Sequence, residues 1–226
     1  MNQIADRPVW DWDFVWEVFP RVWDGMVVII QATLLGITIA MVLGLFLALG
    51  RRSERRWISW PFAAFIDFIR STPLLIQLFF VFFALPEMGI VLSAFVSLVL
   101  GLGVHYATYA SEAYRAGINA VEKGQWEAAT ALNLSPRTTW TKVILPQAIP
   151  KVIPALGNFL VAMIKDAPLG SSIGVAGVLF VARSIGSQTF QYVETMTIAG
   201  VLFLAVSVPA ALFVQFLERK YGYEAA

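Results

Sequence analysis

The sequence has no cysteine and little charge. Only 14% of its 226 residues are Asp, Glu, Lys or Arg, against about 25% in a typical soluble domain. Because cysteine is absent, disulfides and thiolate metal sites are excluded. His105 is the only histidine, which leaves no partner for a multi-histidine metal site within this chain.

Two sequence signals are also missing. There is no G-x-x-x-x-G-K-[ST] phosphate loop, so the chain lacks the nucleotide site of an ATP-driven motor. The N-terminus lacks the basic start and short apolar core of a secretory signal. Residues 1–21 instead combine acidic side chains with tryptophans, which is typical of a membrane interface. We therefore expect residues 1–21 to form an external interfacial segment.

Long apolar runs fill most of the remaining sequence. Hydrophobic residues make up 58% of the chain and the mean hydropathy is +0.72. A membrane-spanning helix needs about 20 such residues, and the uncharged runs predict about five spans within a transmembrane core at 22–220. The predicted spans are 25–50, 61–85, 88–111, 152–182 and 195–217. The predicted fold is therefore an all-α integral membrane protein.

The basic residues are distributed unevenly between the two sides of these spans. Placing the cluster after the first span in the cytoplasm puts most of them there, as the positive-inside rule requires. The N-terminus is then outside and the C-terminus inside. The residues assigned to the inner side are Arg51, Arg52, Arg55, Arg56, Arg115, Lys123, Arg137, Lys142, Lys151, Arg219 and Lys220; those on the outer side are Arg7, Arg21 and Arg183.

A polar stretch from residue 114 to 150 interrupts the apolar pattern on the inner side. Residues 125–134 have the Ala and Leu content of a helix. Asn133 can end this helix because Asn tolerates the left-handed conformation. Ser135 and Pro136 then suit the cap and first turn of a second helix. The residues expected on one face of the first helix are Ala128, Ala129 and Leu132, and those expected to punctuate the return to the membrane are Pro146, Pro150 and Pro154.

Two interpretations of this stretch follow from the residues alone. The small alanines would let the groove of another protein approach closely, which favours a docking surface. An ordinary loop with a solvated helix fits the same residues equally well.

The stretch resembles the EAA loop in the membrane subunits of ABC importers. The sequence Glu127-Ala128-Ala129 matches the start of that motif, and the run 143–146, Val-Ile-Leu-Pro, is a close variant of its end. Asn133 stands where the family has glycine, and it can still adopt the required turn. The resemblance implies a helix-turn-helix coupling loop at 114–150 that contacts an ATPase.

The similarity extends over about 22–220 and indicates the polar amino acid uptake subfamily, which includes histidine, glutamine and arginine permeases and ectoine-type members. Residues 70–75, Arg-Ser-Thr-Pro-Leu-Leu, followed by Gln77, are similar to a subfamily motif, with Ser71 in place of glycine. The approach to the loop and the segment after it also fit, although Ala167 stands where threonine is common. The other matching positions are Tyr109, Ala110, Ser111, Glu112, Arg115, Gly124, Gln125, Pro154, Asn158, Lys165 and Asp166.

The resemblance implies a single permease domain over 1–226, of the type I importer kind, in a bacterial inner membrane. It implies a second permease subunit and two separate ATPase subunits that bind ATP and Mg²⁺. An extracytoplasmic solute-binding protein completes the expected partners, besides the lipid bilayer. No cofactor, metal, enzymatic activity or nucleic acid is expected for this chain. The residues that the resemblance assigns to ATPase coupling are Gly124, Glu127, Ala128, Ala129, Leu132, Asn133, Leu145 and Pro146.

Polar residues inside the predicted spans are candidates for the translocation path or for gating, because ionisable groups in a membrane usually face a cavity or a partner. Asp67 and Arg70 lie three residues apart and are expected to neutralise each other, while Thr72 and Pro73 should kink the helix. The full candidate set is Asp67, Arg70, Thr72, Pro73, Gln77, His105, Glu112, Asn158, Lys165 and Asp166.

Two of these places allow alternative interpretations. Lys165 and Asp166 precede Pro168 and Gly170, which predicts a broken helix of the kind that lines transport sites. They offer both charges to a zwitterionic solute, or else a snorkelling lysine and a capping aspartate. His105 lies on a polar stripe with Gly101, Thr108 and Glu112, and is expected to be buried and hydrogen-bonded or to line the path. Glu112 can instead pair with Arg115.

Two other classes of function fit less well. A proton-coupled secondary transporter of small polar solutes would use His105, Asp67 or Asp166, but no second half of the chain repeats or inverts the first. An intramembrane enzyme or a scaffold is a further class. No metal-ligand cluster or nucleophile-base pair supports an enzyme, and the intramembrane charges exceed what an anchor needs.

Overall fold

The computed structural model describes residues 10–221, which form helices joined by short turns, with no strand among them. The predicted all-α fold is confirmed. The α-helices are α1 (Trp12–Arg51), α2 (Arg56–Arg70), α3 (Leu74–Phe79), α4 (Ala94–Asn119), α5 (Lys123–Ala131), α6 (Pro136–Thr138), α7 (Leu145–Asp166), α8 (Val178–Thr189) and α9 (Tyr192–Tyr221). Short π or 3₁₀ stretches extend them at Phe80–Ala84, Leu85–Met88, Thr139–Ile144 and Ala167–Ile173.

Four helical stretches of the described chain are long and apolar enough to cross a membrane, and a bent pair makes a fifth if it counts as one span. The prediction of about five spans therefore agrees with the structure. The four stretches are Trp12–Arg51, Ala94–Asn119, Pro136–Ile173 and Tyr192–Tyr221, and the bent pair is Arg56–Arg70 with Leu74–Met88.

Helix α1 begins well before the predicted first span. The Asp11 carboxylate accepts hydrogen bonds from the backbone N–H groups of Asp13 (3.0 Å) and Phe14 (3.2 Å), which caps the free amides of the first turn. Residues 12–21 therefore belong to the same helix as the predicted span at 25–50, and their interfacial position stays a prediction. The part of that prediction that concerns residues 1–9 lies outside the described residues.

The predicted kink at Thr72 and Pro73 is confirmed. The helices on either side of it meet at 104°, so the predicted span at 61–85 is a bent pair of helices. Pro73 has extended backbone, with φ −62° and ψ 138°. Proline lacks a donor N–H and disfavours helical geometry in the residue before it, which ends α2 at Arg70 and restarts the chain at α3.

The predicted third span, 88–111, starts too early. Gly89 takes the left-handed conformation, with φ 84°, and closes the helical stretch that follows α3. The Ser93 hydroxyl accepts from the backbone N–H of Val96 at 3.3 Å and caps α4. The span proper is therefore α4, which continues to Asn119.

The fourth predicted span, 152–182, is two helices rather than one. Helix α7 ends at Asp166, a 3₁₀ stretch follows, and Gly174 turns the chain in the left-handed conformation, with φ 84°. Helix α8 then packs against α1 and α9. The predicted break after Asp166 is confirmed. Pro150 and Pro154, in contrast, lie inside α7 without ending it, so they do not punctuate the return to the membrane as predicted.

The core forms where α1 packs along α4, with α7, α8 and α9 completing the bundle. The crossing of α1 with α8 is so close that a Cβ on Gly25 would stand 2.8 Å from the backbone nitrogen of Val178. Small residues allow such backbone approaches in membrane bundles. Large apolar side chains remain exposed elsewhere, as expected of surfaces that face lipid. On α1 and α9 they include Leu34, Val42, Phe46, Val201, Leu204 and Leu212.

Candidate functional site

The polar stretch at 114–150, named here the coupling segment after its predicted role, contains the predicted turn. Asn133 has φ 50°, the left-handed value expected where the family has glycine. The backbone N–H of Leu134 donates to Ala129 O (3.0 Å), and the N–H of Asn133 donates to Thr130 O (2.9 Å). This pair of bonds is the Schellman arrangement that closes helices. Its two bonds satisfy the last carbonyls of α5.

The restart of the helix is also as predicted. The Ser135 hydroxyl accepts from the backbone N–H of Thr138 at 3.2 Å, and Pro136 occupies the first turn of α6. The second helix is longer than α6 alone, because the π-helical stretch Thr139–Ile144 joins α6 directly to α7. Pro146, at the start of α7, has no N–H to donate, and the π-helical stretch lies immediately before it.

A small apolar core holds α5 against the base of α7. Trp126 and Trp140 meet edge to face, with ring centroids 5.3 Å apart and an interplanar angle of 83°. Such pairs add stability beyond the area that they bury. The rings pack on a cluster whose buried members are Ile118, Val121, Ile144 and Ala148. The cluster fixes the position of α5 relative to the membrane helices.

The outer face of α5 presents Glu127 and Ala128, both exposed, and Leu132, whose side chain is 73% exposed. Ala129 is 3% exposed. Positions 128, 129 and 132 fall within an arc of about 100° around a helix, and Ala129, at the edge of that arc, is the one that the protein covers. Of the three residues predicted to share a face, Ala128 and Leu132 are therefore open to a partner and Ala129 is not.

The other residues that the resemblance assigns to ATPase coupling lie at the edges of this face. Gly124 is exposed, and a Cβ there would meet nothing within 4 Å. Pro146 is exposed and Leu145 is half-buried, where α7 begins. Gln125 lies nearby, and its side-chain oxygen accepts from the Gln147 amide at 3.1 Å.

Further contacts tie the coupling segment to the turn between α1 and α2. The Arg52 guanidinium donates to the Asn119 side chain at 3.0 Å and lies 5.6 Å from the centre of the Trp140 ring. A separate bond joins α7 to the end of α4, where the Lys151 ammonium donates to Ala120 O at 2.6 Å. The sequence reasoning missed the tryptophan pair and Arg52. The two tryptophans within a short polar stretch were the available signal for the pair.

A second set of polar side chains meets inside the bundle, at the kink between α2 and α3. The Gln77 amide donates to Ile69 O (2.8 Å), Thr72 O (3.1 Å) and Thr72 Oγ1 (2.8 Å). It thereby gives the Thr72 carbonyl a partner at the break and adds a further donor to the Ile69 carbonyl, which also accepts from Thr72. The Gln77 Oε1 lies 3.1 Å from His105 Nδ1. The predicted buried and hydrogen-bonded state of His105 is confirmed.

The next residue of α4 reaches the break after α7. The Tyr106 hydroxyl donates to the Asp166 carboxylate at 2.7 Å, and the Tyr106 ring packs against His105 and Phe159. The structure therefore brings Thr72, Gln77, His105 and Asp166 into one region at which three helices meet. Tyr106, the link between them, was not among the predicted site residues.

Asp67 and Arg70 do not pair as predicted. Asp67 lies 3.8 Å from the Arg51 guanidinium, and the Arg70 guanidinium stands 5.0 Å from the centre of the Tyr109 ring, a cation–π contact. The prediction considered only neighbours on α2, whereas α1 and α4 supply the partners. Both Asp67 and Arg70 are exposed.

Three other candidates lie apart from that region. The Glu112 carboxylate pairs with Arg115, as predicted, at 2.9 Å, and also with Arg51, the last residue of α1, at 2.7 Å. The Asn158 amide donates to Glu218 at 2.8 Å, which joins α7 to the end of α9. Lys165 is exposed, and the rotation of about 100° between adjacent helical residues separates its side chain from that of Asp166. The remaining member of the predicted set, Pro73, forms the kink.

No three His, Cys, Asp or Glu side chains within residues 10–221 come together as ligands for a metal ion.

Comparison with known proteins agrees with this architecture. Residues 40–223 match the family described as binding-protein-dependent transport system inner membrane component. A probable amino-acid ABC transporter permease protein of Sinorhizobium fredii is 45% identical over 91% of this chain and 89% of its own. The L-cystine transport system permease protein TcyB of Bacillus subtilis is 36% identical, over 92% of this chain and 90% of its own.

Solved structures give the same result. The chain superimposes on a structure described as an amino acid ABC transporter with histidines, with TM-score 0.88, 33% identity and coverage of 93% of this chain and 99% of the other. An inward-facing methionine ABC transporter shares the fold at TM-score 0.68 and 20% identity, over 94% and 99% of the two chains. These findings favour the permease interpretation over a proton-coupled carrier. The chain belongs to the family of binding-protein-dependent transport system inner membrane components and is a multi-pass ABC transporter permease.

Proposed function

We propose that this permease imports polar amino acids or related zwitterions, with ATP hydrolysis supplied by two separate ATPase subunits that bind the coupling segment. The observation that carries the proposal is the outer face of α5. It exposes Glu127, Ala128 and Leu132 while the opposite face is held by the tryptophan core. A firmly supported helix with small residues on its free side fits a groove in a partner.

The type of solute is supported by the relatives, which are described as amino-acid, L-cystine and arginine permeases. A zwitterion needs partners of both charges, and the region around the two helix breaks supplies Asp166 and Arg70 at helix ends. Broken helices of this kind commonly line transport sites. The proposed path uses these groups together with Gln77 and His105.

The orientation follows from the basic residues, with the N-terminus outside and the coupling segment in the cytoplasm of a bacterium. An extracytoplasmic binding protein would then meet the ends of α1, α8 and α9. A cavity of about 540 Å³ opens there, and the residues around it include Asp11, Glu17, Gln188 and Gln191. A second permease subunit would complete the path.

The test is co-purification of the ATPase with full-length permease from detergent-solubilised membranes. The charge reversal Glu127→Arg, combined with Ala128→Glu, should abolish co-purification because both side chains face outward. The matched control is Glu122→Arg, since Glu122 is an equally exposed acid of the same segment that lies outside the assigned coupling set. If the ATPase is lost only from Glu122→Arg, or is retained by both the control and the double variant, the assigned face is contradicted.

A separate uptake measurement tests the solute. Vesicles that contain the whole transporter and its binding protein should accumulate a labelled polar amino acid. This uptake should require ATP on the side of the membrane to which the ATPase subunits are bound. Uptake that persists without ATP and follows an imposed proton gradient would refute ATP-driven import.

A further inference from the structure

Helix α2 exposes a row of aromatic side chains that the rest of the described chain does not cover. Trp57 is 71% exposed, Trp60 72% and Phe68 66%. Their positions, three and then eight residues apart, place them on one side of the helix. The opposite side packs inward through Ile66 and Ile69. The aromatic row of α2 therefore faces away from the rest of the described chain.

The direction of α2 agrees with a position at the membrane surface. The helix follows directly after the inner end of α1 and meets the stretch Leu74–Met88 at 104°. If Leu74–Met88 runs along the membrane normal beside α4, α2 lies near the plane of the membrane. Tryptophans favour the headgroup depth, and helices with basic and aromatic faces lie in that interface.

Next to the aromatic row is a cavity of about 300 Å³ with a basic lining. Trp60 belongs both to this lining and to the exposed row, so the cavity opens beside the apolar face. The residues that line it are Arg51, Arg56, Ser59, Trp60, Ala63 and Arg115.

The charges around this cavity do not balance. Arg51 and Arg115 share the Glu112 carboxylate, at 2.7 and 2.9 Å, and Arg51 also lies 3.8 Å from Asp67. Arg56 has no ion pair with any residue of the described chain. Three guanidinium groups therefore face two carboxylates, and one arginine is left for an outside anion.

We propose that this cavity binds the phosphate headgroup of an anionic phospholipid from the cytoplasmic leaflet. Guanidinium groups suit phosphate because their planar donors match its oxygens. The exposed row of Trp57, Trp60 and Phe68 lies alongside the acyl chains of the same lipid. The cavity opens onto that apolar row, which favours a lipid over a soluble phosphate. The choice of leaflet rests on the proposed orientation, whereas binding of the headgroup does not.

The test is lipid binding to the full transporter complex in detergent. Phosphatidylglycerol or phosphatidylcholine is titrated into the complex, and retained lipids are counted by native mass spectrometry. Arg56→Gln should weaken phosphatidylglycerol binding about fivefold, the effect of one basic residue near an anionic surface, and leave phosphatidylcholine binding unchanged. Arg55→Gln is the matched control, because Arg55 is equally exposed but does not line the cavity.

A second variant keeps the test decisive if Arg56→Gln fails to fold. Ala63→Glu places a carboxylate in the cavity and should remove phosphatidylglycerol binding while phosphatidylcholine binding stays as in the wild type. Equal losses in Arg55→Gln and Arg56→Gln would overturn the site in favour of diffuse attraction to the basic turn. Competition by millimolar inorganic phosphate would assign the cavity to a soluble anion. Loss of an ATPase subunit from Arg56→Gln, with lipid binding unchanged, would assign it to a protein partner.

Discussion

Gln77 of α3 and His105 of α4 meet side chain to side chain, with 3.1 Å between Gln77 Oε1 and His105 Nδ1. The same glutamine donates to Ile69 O and Thr72 O across the kink. One side chain of α3 therefore bonds back to the end of α2 and joins the break to α4. Broken helices persist in membranes only where their free carbonyls find partners.

Replacing Gln77 with leucine should destabilise the permease by about 1–2 kcal/mol, since carbonyls at the kink and one nitrogen of His105 lose a partner. The measurement is the midpoint of thermal unfolding of the purified complex. Gln31→Leu is the control, because Gln31 is an exposed polar residue of α1 and its loss should shift the midpoint little. Equal shifts in the two variants would contradict the role given to Gln77.

Asn133→Gly should match or slightly stabilise the wild type, while Asn133→Ala should cost about 1 kcal/mol. The cause is the left-handed backbone at this position, with φ 50°, which glycine adopts freely and alanine does not. Hydrogen exchange of the α5 amides reports the local stability of the turn. Faster exchange in the glycine variant than in the alanine variant would refute this account of the turn.

Trp140→Ala should loosen the coupling segment and lower ATPase co-purification, although Trp140 is not on the outer face. The substitution removes a half-buried ring from the edge-to-face pair with Trp126 and from the contact with Arg52. We expect a cost of about 1–3 kcal/mol, less than for a fully buried tryptophan. Trp57→Ala, at a position that is 71% exposed, serves as the control. Unchanged co-purification in Trp140→Ala would show that α5 keeps its place without the tryptophan core.

Arg51 and Glu112 should show a coupling energy of about 1 kcal/mol in a double-mutant cycle. Their side chains are 23% and 30% exposed and lie 2.7 Å apart, so the pair is more sheltered than a surface ion pair. The cycle uses Arg51→Gln and Glu112→Gln, alone and together, with unfolding of the complex as the readout. Added salt should reduce the value. A coupling near zero at low salt would mean that Arg115 alone holds Glu112.

Local chemistry was the part of the structure that the sequence predicted well. The turn at Asn133, the cap at Ser135 and the kink before Pro73 each depend on a few adjacent residues with restricted backbone choices. The same reasoning failed for Pro150 and Pro154, because proline is tolerated within membrane helices whose neighbours accommodate it. Composition and spacing alone do not reveal those neighbours.

Contacts between distant residues were the part that the sequence did not predict. Asp67 was assigned to Arg70 because the two share a helix, yet its partner Arg51 comes from α1. Tyr106 and Asp166 are 60 residues apart, and no periodicity in either helix relates them. The burial of Ala129 was also missed, since a short helix with alanines on several sides has no clear inner face until its supporting core is known.

The uninterrupted helical course from Pro136 to Asp166 makes this part of the chain a lever. At 1.5 Å per residue its arm is about 45 Å long, so a rotation of about 5° at the cytoplasmic end moves the far end by about 4 Å. That displacement would exceed the 2.7 Å that joins Tyr106 to Asp166. Small rotations at the Pro136 end are therefore geometrically sufficient to part α4 from α7 at this hydrogen bond.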